Sequence, residues 1–192
     1  MDLVLLDDYK TYKKLTKTDD DDALNIIISS VSEIVKNYCG HTLVDHFSTP
    51  KEEVFNTVCG QKYIVLNEWP IVSITSVYSR KAYNYDYELV PSTDYYRDAE
   101  SDTLHYLLGY WPDGLGSVKV TYTAGYDEIP EDLKLACYDL ITHYFKEEYK
   151  ERRSIGAASI DNSTRFNSTK FNQSKWPAHV VRILDMYRNV KG

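Results

Sequence analysis

The 192-residue chain is 43% hydrophobic and 27% charged, has a formal net charge of −7, and carries 18 tyrosines against five phenylalanines. This is enough apolar material for one domain, or for one domain with a tail, and its acid excess repels nucleic acid at long range. Three cysteines, at 39, 59 and 137, give an odd count without a CxxC pair, so the chain offers neither a disulfide framework nor a zinc ribbon and fits a reduced, cytosolic setting; no stretch approaches a membrane span.

The opening MDLVLLDDYK has a short apolar run between acids and lacks the basic start of a signal peptide. The segment LDDYKTYKKLTKTDDDDALNIIISSVSEIVKNYCG predicts a short helix, a break and a long helix. Leu24, Ile27, Ile28, Val31, Ile34, Val35 and Tyr38 share one helical face, Thr18 or Asp19 caps its start, and Gly40 stops it. The DDDD run sits at the positive end of the helix dipole and lacks the glycine and the later glutamate of a calcium loop.

From 41 to about 125 the pattern turns to β. HTLVDHF, KYIVL, IVSITSVYS, YDYELV, DTLHYLL and VKVTYTA are short runs rich in β-branched and aromatic residues, separated by Pro50, Gly60, Pro70, Pro91 and WPDGLG. They predict a mostly antiparallel sheet inserted between helices, with YSRKAYNYDYE as an exposed hairpin.

A second long helix is expected from Pro130 to about Tyr149, with Leu133, Ala136, Cys137, Leu140, Ile141, Tyr144 and Phe145 on its apolar face. A Ser/Asn-rich segment follows, and PAHVVRILDMYRN predicts a closing helix with Val180, Val181, Leu184 and Tyr187 as its apolar stripe. Residues 151–192 hold eight Lys/Arg and three Asp/Glu, a net of +5, which leaves −12 for residues 1–150. The expected organisation is therefore α+β: a helical core carrying a β insert over 1–150, then a basic extended tail with a terminal helix over 151–192.

Candidate chemistry is sparse. Asp139, His143 and Glu147 stand at i, i+4 and i+8 of the second long helix, as metal ligands would, but a solvated helix face has the same spacing and no second cluster offers further ligands. Cys137 lies on the apolar stripe, six residues and a different face from His143. The chain has no G-x-S-x-G elbow, P-loop, G-x-G-x-x-G or H-E-x-x-H. No catalytic residue, metal or cofactor is assigned. The sequons at Asn162, Asn167 and Asn172 are of the kind a Ser/Thr/Asn-rich tract makes by chance.

Arg165-Phe166, Lys170-Phe171 and Lys175-Trp176 repeat a basic–aromatic pair every five residues. Such pairs stack bases and touch phosphates, or anchor aromatic rings in pockets of a neighbouring protein, and the second reading is preferred here. At the other end of the β insert, VTYTAGYDEIPEDLKLACYDL turns abruptly from strand to helix. Gly125 ends the strand with a backbone other residues resist, and Pro130 presets the first helical turn.

The order of these parts resembles the head–tail connector (adaptor, head-completion) proteins of tailed bacteriophages. The resemblance runs through LDDYKTYKKL, VLNEWPIVSITSVYS, YTAGYDEIPEDLKLACYDL and KWPAHVVRILDMYRNV, and spans nearly the whole chain. It implies a non-catalytic virion protein at the head–tail junction, assembled in the host cytoplasm as a ring of about twelve subunits beneath the portal. It implies as partners the portal protein, tail or tail-completion proteins and other copies of the chain, with no membrane. Genomic DNA is expected to pass through the channel without specific binding, which the negative charge of the body suits. Arg165, Phe166, Lys170, Phe171, Lys175, Trp176, Val180, Val181, Leu184 and Tyr187 are the expected contacts to portal or neighbouring subunit. Removal of residues 154–192 is then expected to abolish portal attachment and leave the main fold intact. Gly125 and Pro130 form a structural joint rather than a catalytic loop. The competing readings are another tail or baseplate structural protein and a nucleic-acid-binding assembly factor.

Overall fold

A computed structural model describes residues 1–98, 101–146 and 176–188. Its elements are α1 (Leu6–Lys13), α2 (Asp21–Cys39), β1 (Lys51–Thr57), β2 (Tyr63–Val65), β3 (Ile71–Ser79), β4 (Glu88–Leu89), β5 (Tyr95–Asp98), β6 (Thr103–Tyr106), β7 (Gly114–Ala124), α3 (Glu131–Phe145) and α4 (Ala178–Met186). They fall into two compact units. One holds Met1–Cys39 and Pro130–Val190, and the other Gly40–Ile129. The α+β class with a β insert holds.

The helical unit is built on α2. Leu24, Ile28, Val31, Val35 and Cys39 are buried at the 3–4 spacing that puts them on one face. This face packs on α3, whose Leu133, Ala136, Cys137, Leu140 and Ile141 are fully buried. The chain's first residues strap onto α2: Ser32 Oγ accepts the Leu3 N–H at 2.9 Å and Lys36 Nζ donates to the Met1 carbonyl at 2.7 Å. Lys10 clamps both carboxylate oxygens of Asp21, at 2.7 and 2.9 Å, across the turn from α1 to α2. Gly40, at φ +78°, stops α2 as its sequence position predicts.

Two helix starts differ from expectation. The first residue of α2 is Asp21, which moves the cap position from Thr18 or Asp19 to Asp20. In α3, Pro130 is the residue before the helix, with φ −53° and ψ 140°, and Glu131 is the first inside. The expected end near Tyr149 lies outside the described residues.

The terminal helix, expected within a separate tail, is grouped with the helical unit and packs on α2 and α3. Val180 and Leu184 are 0% exposed. At about 1.5–3 kcal/mol for each fully buried aliphatic side chain, they hold α4 in place. A deletion running through residue 192 therefore strips part of a core, contrary to the expectation of an intact fold.

In the β unit all pairings are antiparallel, and the strands form two sheets, ordered β1-β7-β3-β4 and β2-β6-β5. Val118, Val120, Tyr122 and Ala124 of β7, Val77 of β3, Ile64, Leu66, Leu104 and Trp111 make its core. Three departures from the sequence reading stand out. HTLVDHF is a loop: Leu43 sits at φ +68° and its carbonyl accepts the Tyr126 N–H at 2.7 Å. KEEVFNT, unremarked in the sequence, is edge strand β1, with Glu53 and Thr57 buried and Val54 exposed. WPDGLG gives its last three residues to β7, which starts at Gly114.

Gly125 ends β7 at φ +105°, and a Cβ there would stand 2.4 Å from the Leu43 carbonyl oxygen. Both the backbone angle and the close approach require glycine.

Candidate interaction site

The groups weighed for catalysis do not converge. His143 is 6% exposed, not on a solvated face, and its ring meets Tyr144 edge-on at 5.5 Å. The carboxylate of Asp139 instead receives His179 of α4 at 2.8 Å, and Glu147 lies outside the described residues. Burial, and then the neighbouring Cys39, pushes the Cys137 thiol up to about 12; burial, and then Asp185, does the same to Cys39. Both thiols are therefore protonated small hydrophobes at neutral pH. Among the described residues no group of three His, Cys, Asp or Glu could hold a metal ion, and no helix is long and apolar enough to cross a membrane.

Of the expected contact residues, Arg165, Phe166, Lys170, Phe171 and Lys175 lie outside the described residues. Trp176 Nε1 donates to Tyr144 Oη at 2.9 Å, and its ring lies 5.5 Å from that of Tyr38. Val180 and Leu184 are enclosed by their own unit, so they are not available as surface contacts. The Tyr187 hydroxyl donates to Asp132 at 2.6 Å and that of Tyr38 to Asp185 at 2.6 Å. Val181 and Ile183 are half-buried. These residues are thus brought together, but as the seat of α4.

Exposed apolar area is concentrated in the β unit, on two surfaces. The first surrounds the β3–β4 connection. Arg80 donates from Nε to the Gly116 carbonyl at 2.8 Å, from Nη1 to Tyr83 at 3.0 Å and from Nη2 to Leu115 at 3.2 Å. Its guanidinium lies against the rings of Tyr83 and Tyr87, at 4.5 and 4.6 Å from their centroids. Lys119 repeats the arrangement between Tyr78 and Tyr87 at 5.2 and 5.1 Å. One planar cation thus satisfies three carbonyls, one of its own loop and two at the start of β7, and stacks two rings, which a lysine could not do. The result is a stiffened loop that presents Tyr83 (73% exposed) and Tyr85, with Leu89 of β4, Leu115 of β7 and Val54 of β1 also exposed.

The second surface is the outer face of the β2-β6-β5 sheet. Tyr63 and Tyr96 both register with His105, so the three side chains form one row across the sheet. The Tyr63 and His105 rings are 5.6 Å apart. Val65 lies on the same face, since Ile64 and Leu104 point inward, and Leu107, Leu108 and Tyr110 are exposed just after β6.

Beneath these surfaces a polar cluster sets the register of β1. Glu53 accepts the Tyr122 hydroxyl at 2.8 Å and the Asn67 N–H at 3.3 Å, and pairs with Lys51 at 2.8 Å. Lys51 also pairs with Glu68, whose other oxygen accepts from the backbone and hydroxyl of Thr42. Burial raises the Glu53 carboxyl, but the bonds from Lys51 and Tyr122, the lysine charge and the Asn67 N–H outweigh it and bring the carboxyl below the ordinary value.

The sequence reading found the tyrosine-rich hairpin but not Arg80 as its organiser, nor the Tyr63–His105–Tyr96 row. A row across three strands is not adjacent in sequence, so no local pattern marks it.

The profile of the family described as head completion protein matches residues 2–190. The chain is 26% identical to the head completion protein of Escherichia phage T5 over 191 residues, which cover 99% of this chain and all of that protein. Its fold is similar to a chain in the neck of an empty gene transfer agent (GTA) particle computed with C6 symmetry, with TM-score 0.63, 15% identity, and coverage of 99% of this chain and 91% of that one. A chain in the neck of the native GTA particle computed with C12 symmetry superposes with TM-score 0.55, 16% identity, and coverage of 88% and 84%. At these identities the structural likeness speaks to fold.

Proposed function

The chain belongs to the head completion protein family, and on that premise we propose that it is a structural subunit of the head–tail junction of a tailed-phage particle, where copies form a ring beneath the portal, extend the DNA channel and seat tail proteins. The observation that carries this reading is a family match running through both units and both ends of the chain. Every element then belongs to the same structural role, including the α4 that the sequence placed in a tail.

The geometry supports the ring. A head-to-tail cyclic interface uses two different surfaces of each subunit. The β unit carries two separate exposed surfaces rich in tyrosine, the side chain best suited to large contact area at small entropic cost. About twelve subunits is the number we propose. The acidic body, −12 over residues 1–150, suits a channel wall, since tight phosphate contacts would hold the genome. The basic–aromatic pairs from Arg165 to Trp176 are proposed to meet the portal, while Val180 and Leu184 serve inside the subunit. Gly125 and Pro130 keep their proposed role as fixed points of the chain rather than reactive groups.

Cryo-electron microscopy of purified particles, focused on the head–tail junction, tests the reading. A ring of this chain under the portal is the expected result. Density for it only at the tail tip would reassign it to a baseplate part, and its absence from particles would remove the structural reading. Replacing Phe166 and Phe171 by alanine should weaken attachment to portal-bearing heads while the far-UV circular dichroism stays unchanged; full attachment would remove the proposed portal contact.

A further inference from the structure

The two sheets of the β unit enclose one core. Ile64 and Leu104 of the three-stranded sheet belong to the same hydrophobic cluster as Val77, Val118 and Val120 of the four-stranded sheet. The outer faces of the two sheets therefore lie on opposite sides of that cluster. On the four-stranded sheet one row crosses every strand: Val54 registers with Lys119, Lys119 with Tyr78, and Tyr78 with Leu89. From this row the alternating stack Tyr78–Lys119–Tyr87–Arg80–Tyr83 runs out along the loop. The opposite face carries the Tyr63–His105–Tyr96 row. Beside that row is an open hollow of about 480 Å³, lined by residues 58–63 and His105.

A head-to-tail contact needs two such faces, because each subunit meets one neighbour with its front and the other with its back. Charge marks the same two places. Residues 1–150 carry −12, so copies of the chain repel one another, and self-contact belongs where that charge is absent. Over 80–89, Arg80 and Lys81 balance Asp86 and Glu88, and Lys119 pairs with Glu52 at 3.5 Å. Over 62–65, 95–98 and 103–110, Lys62 and Arg97 against Asp98 leave +1. Asp86 and Glu88 are exposed on the first face, and Lys62 on the second. Resting on the ring reading above, we propose that the four-stranded face of each subunit packs on the three-stranded face of the next, with the tyrosines of the 80–87 loop seated in the hollow beside Tyr63 and His105. The area fits. Each face exposes five or six large apolar side chains; at roughly 100 Å² uncovered on each, they supply most of the ~800 Å² per partner of a standard interface. Arg80 holds the loop in place before contact, so little ordering is left to oppose association.

The test uses the full chain. Cys59 lines the hollow and is the exposed native thiol. Tyr85→Cys then lets a short bis-maleimide join position 85 of one copy to Cys59 of the next. The expected result is a ladder beyond the dimer on a denaturing gel, lost when Cys59→Ser is added. Leu89→Glu spoils one face and Tyr96→Glu the other, and both side chains are exposed. Each variant should keep its circular dichroism spectrum and be monomeric by native mass spectrometry. Mixed, the two retain one intact face each and should form a 1:1 dimer that grows no further. Oligomers that persist in both variants and lack the 59–85 link overturn the pairing and leave a ring built on other surfaces. An unaltered chain that stays monomeric at every concentration also overturns it, because faces matched in area and charge associate without the portal; the particle map then decides the ring by itself. Should Tyr96→Glu unfold the protein, Tyr63→Glu in the same row takes its place, and Asn84→Cys replaces Tyr85→Cys should that change weaken assembly.

Discussion

Tyr122→Phe isolates the polar cluster beneath β1, because it removes one oxygen and leaves the ring in the core. That oxygen donates to Glu53 at 2.8 Å and accepts the Glu68 N–H at 3.1 Å. Losing a bond to a charged group costs about 1.5–3 kcal/mol, and an unpaired buried amide about 1–3 kcal/mol. Glu53 keeps Lys51 and Asn67 as partners, so the expected loss lies near the low end of the summed range, about 3 kcal/mol, or roughly 10 °C in Tm. Urea unfolding followed by tryptophan fluorescence in a Trp176→Phe background reads the β unit, since Trp69 and Trp111 both lie there. Tyr96→Phe, whose side chain is 56% exposed, serves as control and should change stability by less than about 0.5 kcal/mol. Acid adds a second arm. The folded Glu53 carboxyl lies below its unfolded value, so its contribution is full above the unfolded pKa and fades as pH falls through the folded one. Tyr122→Phe removes one of the bonds that lower it, so the gap between the two proteins should narrow in acid. A loss under about 0.5 kcal/mol at neutral pH, or a gap independent of pH, would refute the role given to this cluster.

Other changes follow from the same geometry. Leu184→Ala should cost about 2–4 kcal/mol by emptying a fully buried site, read by chemical denaturation with circular dichroism; a cost near zero would mean α4 is not part of the core. Gly125→Ala places a Cβ against the Leu43 carbonyl at φ +105°, and the strain of about 1–3 kcal/mol should lower Tm by several degrees, whereas an unchanged Tm would contradict the close approach. Ellman's reagent should titrate one thiol in the native protein, Cys59, and three after denaturation; two or more fast-reacting native thiols would contradict the burial of Cys39 and Cys137. Arg80→Lys cannot reproduce the three-carbonyl fork, and should speed amide exchange in 80–87 without lowering Tm by more than a few degrees; unaltered exchange would show that the loop does not depend on it.

The helices were legible because their cores are carried by periodicity. Leu24, Ile28, Val31 and Val35 announce α2, and Leu133 to Ile141 announce α3, before any tertiary contact is known. The position of α4 was not legible. Its stripe of Val180 and Leu184 shows that something covers it but not what, and the basic, Ser/Asn-rich stretch before it reads as a tail. His143 was misplaced for a related reason, since a polar residue at the edge of an apolar stripe falls on either side according to what packs there. The candidate surfaces were half legible: composition gave the excess of tyrosine, but Arg80 joins its loop to the start of β7 and the Tyr63–His105–Tyr96 row runs across three strands.

β1 was missed for a reason that bears on its role. Its inward positions are Lys51, Glu53, Phe55 and Thr57, and its outward ones include Val54, so the alternation that marks a half-buried strand is reversed in polarity. Apolar contacts alone would let an edge strand slip by two residues, because every second side chain would find similar cover. Glu53 against Tyr122 and Lys51 against Glu68 are satisfied in one register only. The polar cluster thus exchanges some burial energy for uniqueness of pairing. In the proposed ring that trade would be a gain, because a slipped edge in one copy would misplace the surfaces on either side of it.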